Sequence, residues 1–238
     1  MQRVEKMAAV GEMGAGLAHE IKNPLASITG SIQLLLEEMP YDAGRDKLMR
    51  IILREADRLS ALVGNFLLFA RPPSGKSKPI SLDQAIPETV RLVEQDKRCR
   101  DRIAIRQSGQ KGLWVAMDPD HFRQVLWNLL VNASDAMPGG GDFYLRTSNV
   151  THEDMKGKLY VPKPGNYVQL TMTDTGTGMD EKTAKRVFDP FFTTKGEAGT
   201  GMGLSVCYGI IKSHQGTITY KNLEPGGCFT ITLPILDD

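Results

Sequence analysis

Asn128-Leu129-Leu130-Val131-Asn132-Ala133 is the stretch on which the fold of the second half turns. Its two asparagines are four residues apart, so on a helix only about 40° separates them and both leave an otherwise apolar rod on one side. An amide carbonyl is a hard oxygen donor of the kind Mg²⁺ accepts beside waters and phosphates. The same spacing also serves a polar contact between helices, and the pair alone does not choose. Two glycine-rich stretches follow. Asp174-Thr175-Gly176-Thr177-Gly178-Met179 directly succeeds a strand-like run. Its glycines permit close backbone approach to a flat ligand and its carboxylate can accept a hydrogen bond from an exocyclic amine, although turns use the same residues. Gly199-Thr200-Gly201-Met202-Gly203-Leu204 opens a helix reaching about Ser213, and amides at such a helix start can hold phosphates. No Gly-Lys-Ser/Thr follows, so this is not a Walker loop. The surrounding elements do not alternate as a dinucleotide-binding unit requires.

Outward from these stretches the pattern is mixed α and β. Ser81 or Asp83 can cap a helix over Gln84–Gln95, and Ile103–Arg106 and Leu113–Met117 read as short strands. Asp118-Pro119 supplies a cap and a first-turn proline for a helix over His121–Met137, which Pro138-Gly139-Gly140-Gly141 ends. Phe143–Val150, Tyr167–Asp174, Thr217–Lys221 and Cys228–Leu233 alternate as strands, with a polar loop over Thr151–Gly165.

The first half is different. From Gln2 to Met39, apolar residues such as Val10, Leu17, Ile21, Leu25, Ile28, Ile32 and Leu35 recur at helical spacing. Pro40–Gly44 breaks the run, and a second helix follows from about Arg45 to Ala70 with Leu48, Ile51, Ile52, Leu59, Leu62 and Phe66 on its apolar face. Long helices joined by a short turn lie antiparallel. One hairpin cannot bury such a stripe, so two should pair as a dimeric four-helix bundle. Residues 71–79 (Arg71-Pro72-Pro73-Ser74-Gly75-Lys76-Ser77-Lys78-Pro79) read as a linker. The chain therefore divides into 1–70, 71–79 and 80–238.

Composition narrows the class. A length of 238 residues fits one large or two modest domains. A formal net charge of +1 argues against a nucleic-acid-binding protein. The three cysteines, Cys99, Cys207 and Cys228, lack the spacing of a disulfide framework or metal knuckle and fit a reducing cytoplasm. No apolar run has the length of a membrane span, so no direct membrane contact is expected. Asn132-Ala133-Ser134 and Asn149-Val150-Thr151 match a glycosylation triplet without a secretory context. His121, His152 and His214 show no metal-ligand spacing and read as structural or solvent-facing.

Taken in order, the paired asparagines, the DTGTGM stretch, Phe188-Asp189-Pro190-Phe191-Phe192-Thr193-Thr194-Lys195 and the GTGMGL stretch resemble the GHKL (Bergerat) ATP-binding fold of histidine kinases, gyrase, Hsp90 and MutL, over roughly Ile80 to Leu236. The resemblance implies an α+β sandwich that binds ATP with Mg²⁺. In it Asn132 would be the metal ligand with Asn128 beside it, and Asp174 would bind the adenine amino group. Gly176 and Gly178 would line the base pocket. Gly199, Thr200, Gly201, Gly203 and Leu204 would flank the triphosphate under a short lid from Thr193 to Ala198. Lys195 either approaches the γ-phosphate or is a solvated lysine of that lid. The family often carries an acid four residues before the first asparagine; here that residue is Gln124.

The first half selects among GHKL proteins. Leu17-Ala18-His19-Glu20-Ile21-Lys22-Asn23-Pro24-Leu25 lies in the first helix. His19 and Asn23 share a face, and Pro24 removes one helical hydrogen bond close by. The string resembles the phospho-acceptor box of dimeric sensor histidine kinases over roughly Val10 to Ala70. It implies that His19 accepts the γ-phosphoryl group with Glu20 as base and that Asn23 orients a hydrolytic water. It further implies a homodimer, a response-regulator receiver domain as partner, and an upstream sensor or membrane module. A GHKL clamp ATPase or a catalytically silent docking scaffold is the alternative.

Overall fold

The computed structural model describes residues 21, 23–37, 39, 42–70, 77–96, 99–100, 102–151, 153–155, 165–196 and 199–236. His19, Glu20, Lys22, most of the expected linker and the end of the expected lid, Glu197 and Ala198, lie outside them. The chain forms two compact units, Met1–Pro73 and Ser74–Asp238.

In the first unit, residues 23–37 (α1) are helical and a second helix, α2, spans Ala43–Ala70. The Asp42 carboxylate starts α2 by accepting from the Arg45 amide at 2.7 Å, as an Asx cap does. Along these helices, Leu25 apart, the expected apolar faces remain largely open in the single chain: Ile28 is 46 % exposed, Leu48 62 % and Ile52 47 %. Leucine and isoleucine exposed in such a stripe are the signature of a helix surface that packs against something further.

The second unit is a two-layer sandwich. Strands β2 (Ile103–Gly109), β4 (Gly141–Thr151), β5 (Asn166–Asp174), β6 (Thr217–Asn222) and β7 (Gly227–Pro234) form one sheet in the order β2-β4-β5-β7-β6. Only the β2–β4 pair is parallel. Its register places Leu145, Met172 and Phe229 in one row and Leu170 and Ile231 in the next. These are buried, whereas the alternate residues Tyr144 and Arg146 on β4 and Thr219 on β6 are exposed. One sheet face is thus apolar and the other polar. Helices α3 (Leu82–Gln95), α4 (Pro119–Ala136) and α6 (Gly203–Ser213) contribute the facing layer, with Val93, Leu126, Leu130, Met202, Val206 and Ile210 fully buried.

Local signals explain most boundaries. Asp118 caps α4 by accepting from the Asp120 and His121 amides, and Pro119 occupies the first turn. Three elements differ from expectation, one of them a short 3₁₀ helix, Glu153–Met155, inside the expected loop. Lys78 and Pro79, expected in the linker, belong to strand β1 (Lys78–Ser81), which pairs antiparallel with β3 (Trp114–Met117). A six-residue helix, α5 (Glu181–Arg186), capped by Asp180, follows the first glycine stretch.

Candidate functional site

The row of the sheet that ends β5 sets up the site. Asp174 lies opposite both Phe143 and Gly227 and is buried. Its carboxylate accepts the Gly176 amide at 2.9 Å. Burial pushes its pKa up, opposed by N–H donors from Gly176 and Gly227. After β5 the chain turns sharply: the Thr177 amide donates to the Ala136 carbonyl at the end of α4, and Gly178 has φ +65°. Asn222 of β6 then grips Met179 by backbone on both sides, accepting its amide at 2.9 Å and donating to its carbonyl. Tyr220 donates to the same Asn222 oxygen at 2.6 Å.

Facing this turn is a cleft of about 460 Å³, a size suited to a small-molecule ligand. Asn128, Asn132 and Asp135 line it from α4, Thr177, Gly178 and Met179 from the first glycine stretch, and Gly199, Thr200, Gly201, Gly203 and Leu204 from the second. Phe192, Thr193, Thr194 and Lys195 line it as well. Most expected site residues therefore converge. Asp174 and Gly176 do not line the cleft; a side chain at Gly176 would strike the Ala136 carbonyl at 2.6 Å and the Asp174 carboxylate at 2.9 Å, so the two pack directly behind it. His19 and Glu20 fall outside the described residues, and Asn23 is on α1 in the other unit.

Backbone geometry makes glycine obligatory at one position of the second glycine stretch. Gly201 has φ +64°, and an added Cβ would sit 2.4 Å from the Phe191 carbonyl carbon. Gly203 opens α6, and its carbonyl accepts from the Asn128 amide nitrogen at 3.2 Å. The residue before α6, Met202, supplies no side-chain cap. Gly203 and Leu204 of the first turn of α6 line the cleft, and amides there, which no helical carbonyl can satisfy, together with the positive end of the helix dipole favour an anion.

The opposite pole comes from α4. Asn132 and Asp135 stand in its final turns, where the helix dipole is negative. The Lys195 ammonium donates to Asn132 Oδ1 at 3.0 Å and to Asp135 Oδ2 at 2.5 Å. Asn132 therefore turns a carbonyl oxygen toward a cation, and the donor set there is of the hard oxygen type that Mg²⁺ takes. A cleft with a cation-binding pole and an amide-lined anion-binding pole suits a metal–phosphate ligand. Asp135 and Asn222 carry no motif of their own; the one sequence signal for Asp135 is its helical spacing from Asn132.

Residues 117–237 match the family of histidine kinase-, DNA gyrase B- and HSP90-like ATPases. The chain belongs to this family. Residues 9–75 match the His Kinase A (phospho-acceptor) domain. The sensor histidine kinase ZraS of Escherichia coli O157:H7 is 35 % identical over 99 % of this chain, and the match covers 48 % of ZraS. The chain thus spans about half the length of that relative. Among solved structures, full-length ShkA in complex with AMPPNP has a TM-score of 0.75 at 22 % identity, over 96 % of this chain and 46 % of that one, a likeness of fold. Histidine kinase ThkA in complex with response regulator TrrA has a TM-score of 0.63 at 28 % identity, over 98 % of this chain and 64 % of that one. This chain is therefore a phospho-acceptor-type helical region followed by an ATPase-family sandwich. Among the described residues, no helix is long and apolar enough to cross a membrane.

Proposed function

We propose that this chain is the kinase core of a sensor histidine kinase: it transfers the γ-phosphoryl group of ATP to His19 and then to an aspartate of a response-regulator receiver domain. Residues 1–70 serve as the dimerisation and phospho-acceptor region, 71–79 as a linker that β1 shortens at its end, and 80–238 as the ATP-binding domain. The observation that carries this reading is the two-poled cleft, joined in one chain to a phospho-acceptor match that spans His19.

In this reading Asn132 is the Mg²⁺ ligand, Asn128 steadies the start of α6 through Gly203, and the first-turn amides of α6 receive the phosphates. Gly199, Thr200, Gly201 and Leu204 shape the backbone around the triphosphate, while Lys195 neutralises its outer charge. Asp174, buried behind Gly176 and Gly178, selects for an exocyclic amine on the base. Bound Mg²⁺ supplies charge neutralisation on the phosphate oxygens. An imidazole has a reference pKa of about 6.5, so the neutral form of His19 is available as the nucleophile at cytoplasmic pH. As its attack develops positive charge on the ring, Glu20 takes the ring proton. Asn23, a hydrogen-bonding group and a poor base, orients water for dephosphorylation of the regulator.

The exposed apolar faces of α1 and α2 support a homodimer, and the complex of ThkA with TrrA supports a response regulator as partner. A cytoplasmic location follows from this substrate and partner. The clamp-ATPase and silent-scaffold readings give no role to a phospho-acceptor match around His19. Incubation with γ-labelled ATP and Mg²⁺ should give an acid-labile, alkali-stable label. His19→Gln should abolish it while nucleotide affinity stays unchanged; label that persists in this variant refutes the assignment.

A further inference from the structure

The Lys195 contacts say more about the cleft than that a lysine lies near it. One ammonium joins an amide oxygen and a carboxylate oxygen, Asn132 Oδ1 and Asp135 Oδ2, that stand three residues apart on one stripe of α4. Both oxygens are hard donors at the negative end of a helix, and Mg²⁺ characteristically takes one or two carboxylates beside phosphates and water. The ammonium and a divalent cation cannot share that position, because like charges at contact distance repel. Neither side chain is deeply buried: Lys195 is 41 % and Asp135 34 % exposed, so solvent and solutes reach the pair.

The geometry points to Asp135 as a second protein donor to the divalent cation, direct or through one water, with Lys195 holding that position until the metal–nucleotide enters. This rests on the nucleotide-site reading given above. The exchange leaves no charge unpaired. Before it, Lys195 faces Asp135; after it, the metal faces Asp135 and Asn132, and Lys195 faces phosphate oxygens. A carboxylate that merely kept Lys195 in place would have no effect once the lysine was removed, and this separates the two roles.

Mn²⁺ as a surrogate for Mg²⁺ provides the test, with the full chain, the non-hydrolysable analogue AMP-PNP and free Mn²⁺ read by electron paramagnetic resonance. Asp135→Asn is expected to weaken Mn²⁺ in the ternary complex about tenfold or more, the range seen when a metal site loses a supporting carboxylate, and Asp135→Glu to recover most of it. Lys195→Met removes the ammonium that holds the position, and Asp135→Asn should still weaken Mn²⁺ relative to Lys195→Met alone. Unchanged Mn²⁺ affinity in Asp135→Asn, with AMP-PNP still bound, overturns the inference and leaves the nucleotide site standing. So does a loss that vanishes when Lys195 is absent. If Asp135→Asn lowers the melting temperature, Asp135→Ser takes its place in the same titration. Failure of the parent chain to bind AMP-PNP at all refutes the nucleotide site, and the inference with it.

Discussion

The two units solve the burial problem in opposite ways. The sandwich closes its core within itself: Val93, Leu126, Val168, Leu170, Met202 and Val206 have no exposed surface. The helical unit leaves Ile28, Leu34, Leu48, Ile52 and Leu59 between 46 % and 62 % exposed. A two-helix hairpin has too little interior to cover a continuous apolar stripe, whereas a five-stranded sheet under three helices encloses both faces of its contact. The sandwich can thus present a rigid ligand site on its own, while the described helices of the first unit leave an apolar stripe for a further surface to cover. Substitutions that affect one unit and spare the other test this division.

The largest effect is expected at Gly201. Gly201→Ala forces a Cβ into the Phe191 backbone at φ +64°, a strain of about 1–3 kcal/mol before the clash is counted. Calorimetry should show nucleotide affinity falling by about a hundredfold if the loop shifts away from the phosphates. The self-association of the chain should not change. Retained affinity would show that the second glycine stretch does not shape the site.

Next comes the hairpin. Leu48→Glu with Ile52→Glu places two charges on the exposed stripe, and sedimentation should report a monomer where the parent chain is a dimer, since a charge buried unpaired in an interface costs several kcal/mol. Nucleotide affinity, a property of the sandwich, should remain as it was. A dimer that survives both charges would break the comparison.

A smaller effect is expected at Asp174. Asp174→Asn replaces an acceptor-only group by one that also donates, so preference for ATP over GTP should fall about tenfold in competition binding, in line with one buried hydrogen bond to a charged group. Equal preference in both proteins would remove Asp174 from base recognition. That this carboxylate lies behind Gly176 without lining the cleft makes the outcome informative.

The smallest effect concerns a contact between helices. His121 Nδ1 and His214 Nε2 are 3.3 Å apart, His121 is buried, and the rings meet edge to face. Burial, and then the neighbouring His121, lower the His214 pKa below 6.5, while Asp118 acts the other way. The unfolded chain therefore binds the proton more tightly. This contribution to stability is complete above about pH 6.5 and is lost as the pH falls from there through the folded-state pKa. Melting temperatures measured across that window should decline more steeply for the parent chain than for His214→Gln. Parallel slopes would show that the pair is not proton-linked.

This pair also shows where reading the sequence stops. His121 and His214 read separately as structural or solvent-facing residues; they touch because α4 and α6 run antiparallel, with Asn128 against Gly203 at one end, Cys207 near the Val125 carbonyl midway, and the imidazoles at the other. Cys207 is a small buried hydrophobe in that contact, and burial pushes its thiol pKa up to about 12. Strand β1 was missed because Lys78-Pro79 has linker composition; its pairing with Ala116 and Met117 makes it a strand. Helix α5 was missed because six residues are too few for periodicity to register.

By itself the sequence determined what depends on near neighbours: the apolar spacing of the helices and strands, the Asp118-Pro119 start of α4, the glycines of the loop before α6, and the order of the stretches that resemble a histidine kinase. Those signals act through backbone conformations and caps within a few residues. The tertiary structure decided what depends on distant ones. It placed Asp174 and Gly176 behind the cleft, brought Asn222 to the Met179 backbone, and set the Lys195 ammonium on Asp135, sixty positions away along the chain. Which side chains meet across such separations follows from strand register and from how three helices seat on one sheet face, and no local pattern encodes either.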